Sequence, residues 1–543
     1  MRSAPPASLA GLALVMALGV GVGLLGIFRP VGVFDEAFVL VGAERVVHGE
    51  LPLSDFYTPY PPGQYLAVAL LFKVFGVDAL TLRVYCVVVR AAVALLVCLL
   101  ATSLAGRALA AACWCASILW LTAVGSFGYP TIPSLALVLL GLWMLSNAWN
   151  VRARGGRSSA TRVAGAGAVL GVAMLFRHDL GLYGLVASLP LLAVGTAQPH
   201  GAAGRGRASA LWPFMAGFAA ALGIPAVWLL SSVPVQFVTF EMLTYPATGY
   251  ARMRGLPYPP LLHSQWLVPR PSKVPFYAPF VFDAAALVWI AVRAIRLRTT
   301  LIAVRDARLA SLALLGLTAF NLTRVRPDEV HVVAAVIPSF VVAASLIQRA
   351  WATTRPAWRA AAIGIAGVSA LMLVPPIRSF PRPVPSVVRS VLGGAADPDR
   401  VSHLATGPEH RAVAGFLRSV VPPGGRVFVG CGRHDKVFIN EPLVYFLAGR
   451  LPGGRYHMFD PGIVTTLAVQ QEMVRGLVRH RVEYLVISSG CDWRAEPNQS
   501  AISSGVTYLD DYLRRNYALV QRFGDELSVW RRAAAWDVPT GGA

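Results

Sequence analysis

The chain has 543 residues, 56% hydrophobic and only 14% charged, with a mean hydropathy of +0.58 and a formal net charge of +21. A soluble protein of this length carries about 25% charged residues, so an ordinary soluble enzyme is excluded. Apolar runs of about twenty residues, each enough to cross a bilayer core as a helix, recur up to residue 376 and then stop, so the first two thirds reads as membrane and the last third as soluble.

The first run, Ser8 to Phe28, carries no charge. It is longer than the apolar core of a secretory signal, and no small-x-small cleavage pattern stands before Phe34-Asp35-Glu36, so it reads as a retained first helix. Further membrane helices are expected at about 84–105, 108–124, 130–149, 163–176, 180–197, 210–230, 276–292, 309–322, 330–347 and 360–376, eleven in all. The loops between them alternate in charge. One set holds Arg107, Arg152, Arg154, Arg157, Arg162, Arg205, Arg207, Arg293, Arg296, Arg298, Arg305, Arg308, Arg349, Arg355 and Arg359 against Asp306 alone. By the positive-inside rule these loops are cytoplasmic. The other set holds Asp35, Glu36, Glu44, Glu50, Asp55, Asp179, Glu241, Asp328 and Glu329. Eleven crossings from a cytoplasmic N-terminus put the C-terminal domain outside. The basic charge thus follows topology, and no nucleic-acid partner is expected. The scarcity of lysine beside abundant Arg, Ala, Gly and Pro suggests a G+C-rich bacterial source, hence a bacterial plasma (inner) membrane.

The first outer loop, 29–83, is long. Asp35 and Glu36 follow closely on the first helix, Phe38 to Val47 patterns as a short amphipathic helix, and Tyr57-Thr58-Pro59-Tyr60-Pro61-Pro62-Gly63 is a bend. Tyr65 to Phe75 is apolar but too short to span, so it is expected to lie along the interface. The fifth helix ends in Arg177-His178-Asp179, three ionisable residues at a tight outer turn, a costly choice near a membrane. The loop 231–275 carries Arg252, Arg254, Arg270 and Lys273 with Glu241 as its acid, against the positive-inside trend. An anionic ligand at the outer face supplies a reason, since arginine forks suit phosphate oxygens. Between helices nine and ten, Arg326, Asp328 and His331 stand close, with Asp328 and His331 on one helix face. A bland reading stands beside each of these features: a solvated helix cap for Asp35-Glu36, a self-contained Arg–Asp turn anchor at 177–179, and a charged interfacial collar at 323–331.

Taken together, carboxylates, a histidine and arginines meet at one membrane face. Transfer from a lipid phosphate fits this set: a carboxylate deprotonates an acceptor hydroxyl, and arginines stabilise charge growing on the leaving phosphate. No zinc triplet, Walker loop or nucleophile elbow offers other chemistry, although Asp35, Glu36 and an outer histidine have the atoms to hold a divalent metal. A transporter or lipid flippase is the alternative class, but such proteins bury ionisable groups near the midplane and often show inverted repeats, and neither is visible. A non-catalytic scaffold or receptor leaves the acid-plus-arginine grouping unexplained.

The run Phe34-Asp35-Glu36, then Tyr57 to Tyr65, then Phe75-Gly76 and Leu82-Arg83, resembles the first outer loop of the GT-C class of membrane glycosyltransferases. It is closest to the family-39 group of protein O-mannosyltransferases, lipid A aminoarabinose transferases and their bacterial relatives. Arg326, Asp328 and His331, and the stretch Arg252 to Pro259, also resemble bacterial members. The resemblance covers residues 8–376. It implies a GT-C-like fold and an inverting transfer of a hexose or pentose from a polyprenyl-phosphate donor to a hydroxyl of a cell-envelope glycan, lipid or protein, with little or no need of metal. It places Asp35 as the general base and Glu36 as its neighbour. Arg177, Arg326, Arg252 and Arg254 are extrapolated to donor-phosphate binding, and Tyr57, Tyr60, His178, Asp179, Asp328 and His331 to substrate binding or support. The Arg177-His178-Asp179 turn has no clear counterpart in the eukaryotic mannosyltransferases.

Residues 377–400 read as a proline-rich linker and 401–543 as an extracytoplasmic α/β domain. Strands are expected at Arg426–Val429, Tyr484–Ser488 and Leu527–Arg531, and helices at Leu467–Arg479 and Tyr508–Tyr517. The turn Gly430 to Asp435 is a weak candidate for an anion or sugar. Cys431 and Cys491, in an oxidising compartment, are a possible disulfide or two separate buried thiols.

Overall fold

A computed structural model describes residues 8–125, 127–153, 160–197, 210–262, 270–297, 303–380, 400–401 and 404–533. Most of the expected linker, together with Arg154, Arg157, Arg205, Arg207 and Arg298, lies outside the described residues.

All eleven apolar segments fall on helices: α1 (Leu9–Leu24), α4 (Ala79–Ala105), α5 (Arg107–Ala123), α6 (Thr131–Ala153), α7 (Ala160–Phe176), α8 (His178–Ala197), α9 (Leu211–Ser232), α12 (Ala278–Arg296), α13 (Val304–Val325), α14 (Glu329–Trp351) and α15 (Pro356–Leu371). Among the described residues, six helices are long and apolar enough to cross a membrane, and the chain is a multi-pass membrane protein. Helix α14 runs through the middle, with Val332 to Ala344 buried against its neighbours. Small residues set the closest crossing, that of α7 on α9. A Cβ on Gly167 would stand 2.0 Å from the carbonyl oxygen of Phe214, and one on Gly217 would stand 1.9 Å from that of Ala164. Such close backbone approach is how membrane helices gain packing where burial of apolar surface gives no driving force. The other side of α9 leaves Ile224, Val227 and Leu230 exposed, as a lipid-facing surface requires.

The first loop folds into α2 (Ala37–Val47), a bend, and α3 (Gly63–Phe75). Helix α3 buries Tyr65, Val68, Ala69 and Phe72 on one face and exposes Leu66, Leu70, Val74 and Phe75 on the other. At thirteen residues it is about 20 Å long, too short to span, and its bare apolar face fits the bilayer surface. The loop after α9 forms α10 (Val235–Thr239), a π-helical stretch over Phe240–Gly249, and α11 (Tyr250–Arg254).

The C-terminal part holds a five-stranded mixed sheet of order β2-β1-β3-β5-β4. Its strands are β1 (Arg426–Cys431), β2 (Leu451–Pro452), β3 (Tyr484–Ser488), β4 (Tyr517–Phe523) and β5 (Leu527–Arg532). β1 lies parallel to β2 and β3, while β5 pairs antiparallel with β3 and β4. The helix expected at Tyr508–Tyr517 stops at Asn516, because β4 begins there. Sequence reading missed β2, β4 and the helix Pro408–Val420.

One hydrophobic core joins the first loop to this domain. Val31, Phe34, Phe38, Tyr65 and Phe72 pack in the same cluster as Val413, Leu417, Phe428, Phe446, Phe459 and Leu485. Backbone hydrogen bonds cross the join from Val31 N–H to Ala405 O (2.9 Å), from Tyr57 N–H to Arg455 O (3.1 Å) and from Leu443 N–H to Val33 O (3.3 Å). Loop and domain form one folded head on one end of the bundle. Cys431 and Cys491 are neighbours within it as free buried thiols, so the possible disulfide is not formed.

Candidate active site

The two adjacent carboxylates of the first loop have opposite fates. Glu36, 2% exposed, turns back toward the base of the loop. It accepts Gly32 N–H at 2.9 Å and meets Arg83 Nε and Nη2 at 2.7 and 2.8 Å. Arg83 also donates to the carbonyls of Ile27, Arg29 and Pro30. This clamp fixes the exit from α1 and leaves Glu36 no oxygen for chemistry, which corrects its expected catalytic place. Asp35 points the other way, into a cavity of about 250 Å³. The residue as a whole is exposed, and it takes part in no hydrogen bond or ion pair among the described residues. Crowding by protein atoms raises its pKa above the ordinary value, although Arg254, His331 and Arg326 pull it back.

The cavity lies between the head and the ends of the bundle helices. Aromatic walls come from Phe34, Phe38, Tyr60, Phe127, Tyr129, Tyr250 and Phe438. Arg254, 6% exposed, forms an ion pair with Asp460 at 2.7 Å and lies over the rings of Phe34 and Phe438. Asp460 also accepts from Tyr57 Oη at 3.1 Å. Arg326 bridges Glu496 through Nη1 (2.9 Å) and Nη2, and reaches Asp328 through Nε at 3.0 Å. Asp328 caps α14, accepting the N–H groups of Val330 and His331 at 3.1 and 2.9 Å. It also bonds His331 Nδ1 at 2.7 Å, and His331 Nε2 lies 3.2 Å from Tyr129 Oη. Burial alone would raise Asp328; the hydrogen bonds and charge of His331, with Arg326, outweigh it and hold the carboxyl below its usual value. Burial keeps the Tyr60 and Tyr250 hydroxyls well protonated.

Arg177 does not line the cavity. It donates to Tyr129 Oη (2.8 Å), Thr131 and Asp179 (2.9 Å), and lies over the rings of Tyr60 and Tyr129. It therefore holds two wall tyrosines in place. Tyr57 and Asp179 stand in this supporting layer. His178 is apart from the cavity, with its Nδ1 buried and unpartnered. Arg252 is exposed and also lies outside the cavity lining. The sites expected at Asp35, Tyr60, Arg254, Arg326, Asp328 and His331 do come together.

Asp460, Glu496, Tyr129 and Tyr250 were missed. The acids stand beside turn residues, in Phe459-Asp460-Pro461-Gly462 and Glu496-Pro497, a signal too common to single out. The Gly430–Asp435 turn is closed on itself, with Arg433 paired to Asp435 and buried His434 to Asp510. Among the described residues no three His, Cys, Asp or Glu side chains converge as a metal-ligand set, and the Glu36 clamp separates the trio that sequence suggested.

No family model matches the chain, and no curated protein matches it. Solved structures do. ArnT from Cupriavidus metallidurans bound to undecaprenyl phosphate superposes with a TM-score of 0.53 at 15% identity, covering 98% of this chain and 100% of that one. The archaeal oligosaccharyltransferase AglB from Archaeoglobus fulgidus, in complex with an inhibitory peptide and a dolichol-phosphate, gives 0.50 at 12% identity, covering 97% and 75%. The arabinofuranosyltransferase AftD from Mycobacteria gives 0.50 at 13%, covering 98% of this chain and 40% of that one. This chain shares its fold with these three transferases.

Proposed function

We propose that the chain is a glycosyltransferase that moves a sugar from a polyprenyl-phosphate donor to a hydroxyl acceptor of the cell envelope, at the outer face of a bacterial plasma membrane. The observation that carries this reading is Asp35: an unpaired carboxylate in an aromatic-walled cavity that it shares with Arg254, Arg326 and His331. In the reaction, Asp35 takes the proton of the acceptor hydroxyl as its oxygen bonds to the anomeric carbon. The bond from that carbon to the phosphate oxygen breaks, and the lipid phosphate leaves with the electron pair. Arg254 and Arg326, fixed by Asp460 and Glu496, offset the growing charge without reorganising. His331, held by Asp328, offers a further contact to the phosphate, and the aromatic walls suit a sugar ring. Attack from the side opposite the phosphate inverts the anomeric centre.

Support for a lipid-phosphate donor comes from the undecaprenyl phosphate and dolichol-phosphate held by solved proteins of the same fold. The test is transfer of label from radiolabelled polyprenyl-phosphate sugars to an envelope acceptor pool. Wild-type protein should transfer label, and Asp35→Asn should be slower by about 10²–10⁴-fold with unchanged thermal unfolding. Full activity in Asp35→Asn would remove it as the base. No transfer from any such donor, with a competent acceptor present, would remove the donor class.

A further inference from the structure

A second cleft, of about 430 Å³, opens at the far end of α2 between the first loop and the C-terminal domain. Five arginines line it against three acids. Three of the arginines are structural ties. Arg45 and Arg426 share Glu50, and Arg455 holds Glu241. The acids are engaged as well: Glu50 by those two arginines, Asp55 by Leu51 N–H at 2.7 Å, and Glu472 by Tyr456 Oη at 3.1 Å.

Arg475 and Arg479 are different. They stand one turn apart on the helix Leu467–Arg479, exposed at the cleft, with no ion pair or hydrogen bond from their side chains among the described residues. The helix approaches closely because Gly476 packs on Gly453 and Gly454, where a Cβ would stand 3.1 Å from the Gly453 carbonyl oxygen. Beside them the His480 imidazole is pushed below its ordinary value, by burial first and then by Arg426 and Arg479. The cleft therefore presents uncompensated positive charge in a walled, polar space, with two guanidinium forks spaced for one multivalent oxyanion.

We propose that this cleft binds the phosphate-bearing end of an anionic saccharide, which serves as acceptor; the word acceptor rests on the transfer proposed above, the phosphate site does not. Helix α2 links the two places. Asp35 stands just before its first turn and Arg45 lies in its last, and its eleven residues make about 16 Å. The cleft thus lies about one short helix from the cavity that holds Asp35, with α2 itself buried between them from Ala37 to Arg45.

The experiment is calorimetric titration of the full chain in nanodiscs with a phosphorylated trisaccharide and its dephosphorylated twin, with inorganic phosphate as competitor. The phosphorylated form is expected to bind on the order of tenfold more tightly, and increasingly so at low salt. Arg475→Glu/Arg479→Glu should lose that difference, while Asp35→Asn keeps it. Arg475→Gln/Arg479→Gln, a milder change, repeats the test should the charge reversal unfold. Equal affinity for the two saccharides, or an unchanged difference in both double variants, would overturn the proposal. Displacement by inorganic phosphate at equal concentration would overturn the saccharide assignment. Because binding is read without turnover, loss of the transfer reading alone would leave the phosphate-dependent difference intact.

Discussion

The bundle and the head are both tightly packed, but they are held by different forces. The bundle core is chiefly apolar, from Val93 in α4 to Ala344 in α14, with a few buried polar groups such as Arg90, Asp283 and Asp306 set into it, and its closest crossing rests on glycine. The head mixes its apolar core with ion pairs that join distant segments: Arg254–Asp460, Arg83–Glu36, Arg455–Glu241 and Arg400–Glu44. Shape holds the helices together, while paired charge fixes where the head sits on them. The cavity lies at that boundary, so its geometry is sensitive to single charges and tolerant of conservative change in the bundle.

That contrast can be broken in graded steps. The largest effect is Asp35→Asn, a loss of about 10²–10⁴-fold in transfer with no loss of fold, because Asp35 has no protein partner to abandon. Next is Asp460→Ala, which leaves Arg254 buried and unpaired. It should destabilise the head by about 3–5 kcal/mol, read by denaturant unfolding. The double change Arg254→Met/Asp460→Leu should recover much of that stability but not the transfer. Equal destabilisation by the single and the double change would show that packing, not pairing, holds the join.

A smaller effect follows from Glu241, whose pKa is raised to about 7, chiefly by burial and despite Arg455. Between its ordinary value and about 7 the folded chain keeps a proton that the unfolded chain has released. Stability is therefore highest at the acid end of that window and falls as pH rises through it, by at most ~3 kcal/mol. Asp35 adds in the same direction from its own ordinary value upward. Thermal midpoints at pH 5 and pH 8 should show the fall, and Glu241→Gln should flatten it. A comparable effect is expected in the bundle: Gly217→Ala, which sets a methyl 1.9 Å from the Ala164 carbonyl oxygen, should cost about 1–3 kcal/mol without changing the pH dependence. A larger loss there than at Asp460 would reverse the comparison.

Much of this was legible beforehand. Apolar run lengths marked every helix of the bundle, and charge at the loop ends marked Asp35, Arg254, Arg326, Asp328 and His331 as neighbours. What stayed hidden depends on direction and on distant pairing. Asp35 and Glu36 are alike in type and adjacent in sequence, and only the turn into α2, with Arg83 arriving from α4, separates a free carboxylate from a locked one. Arg252 and Arg254 look equivalent, yet the short helix α11 turns Arg254 inward and leaves Arg252 in solvent. Asp460 and Glu496 come from a domain whose placement against the bundle no local pattern encodes.

The core shared by the first loop and the C-terminal domain has a consequence for how the molecule is made. Apolar side chains of residues 31–86 share one core with those of residues 401–529, so that core is complete only once the C-terminal domain exists. At about 5–20 residues per second, the loop that carries Asp35 waits tens of seconds after its own synthesis while the rest of the bundle is threaded into the bilayer. In that interval Phe34 and Phe38 have each other and Tyr60, while Phe72 lacks Phe446, the ring it stacks on in the finished head. Chains that stall before the head is complete therefore carry a first loop whose share of that core is uncovered.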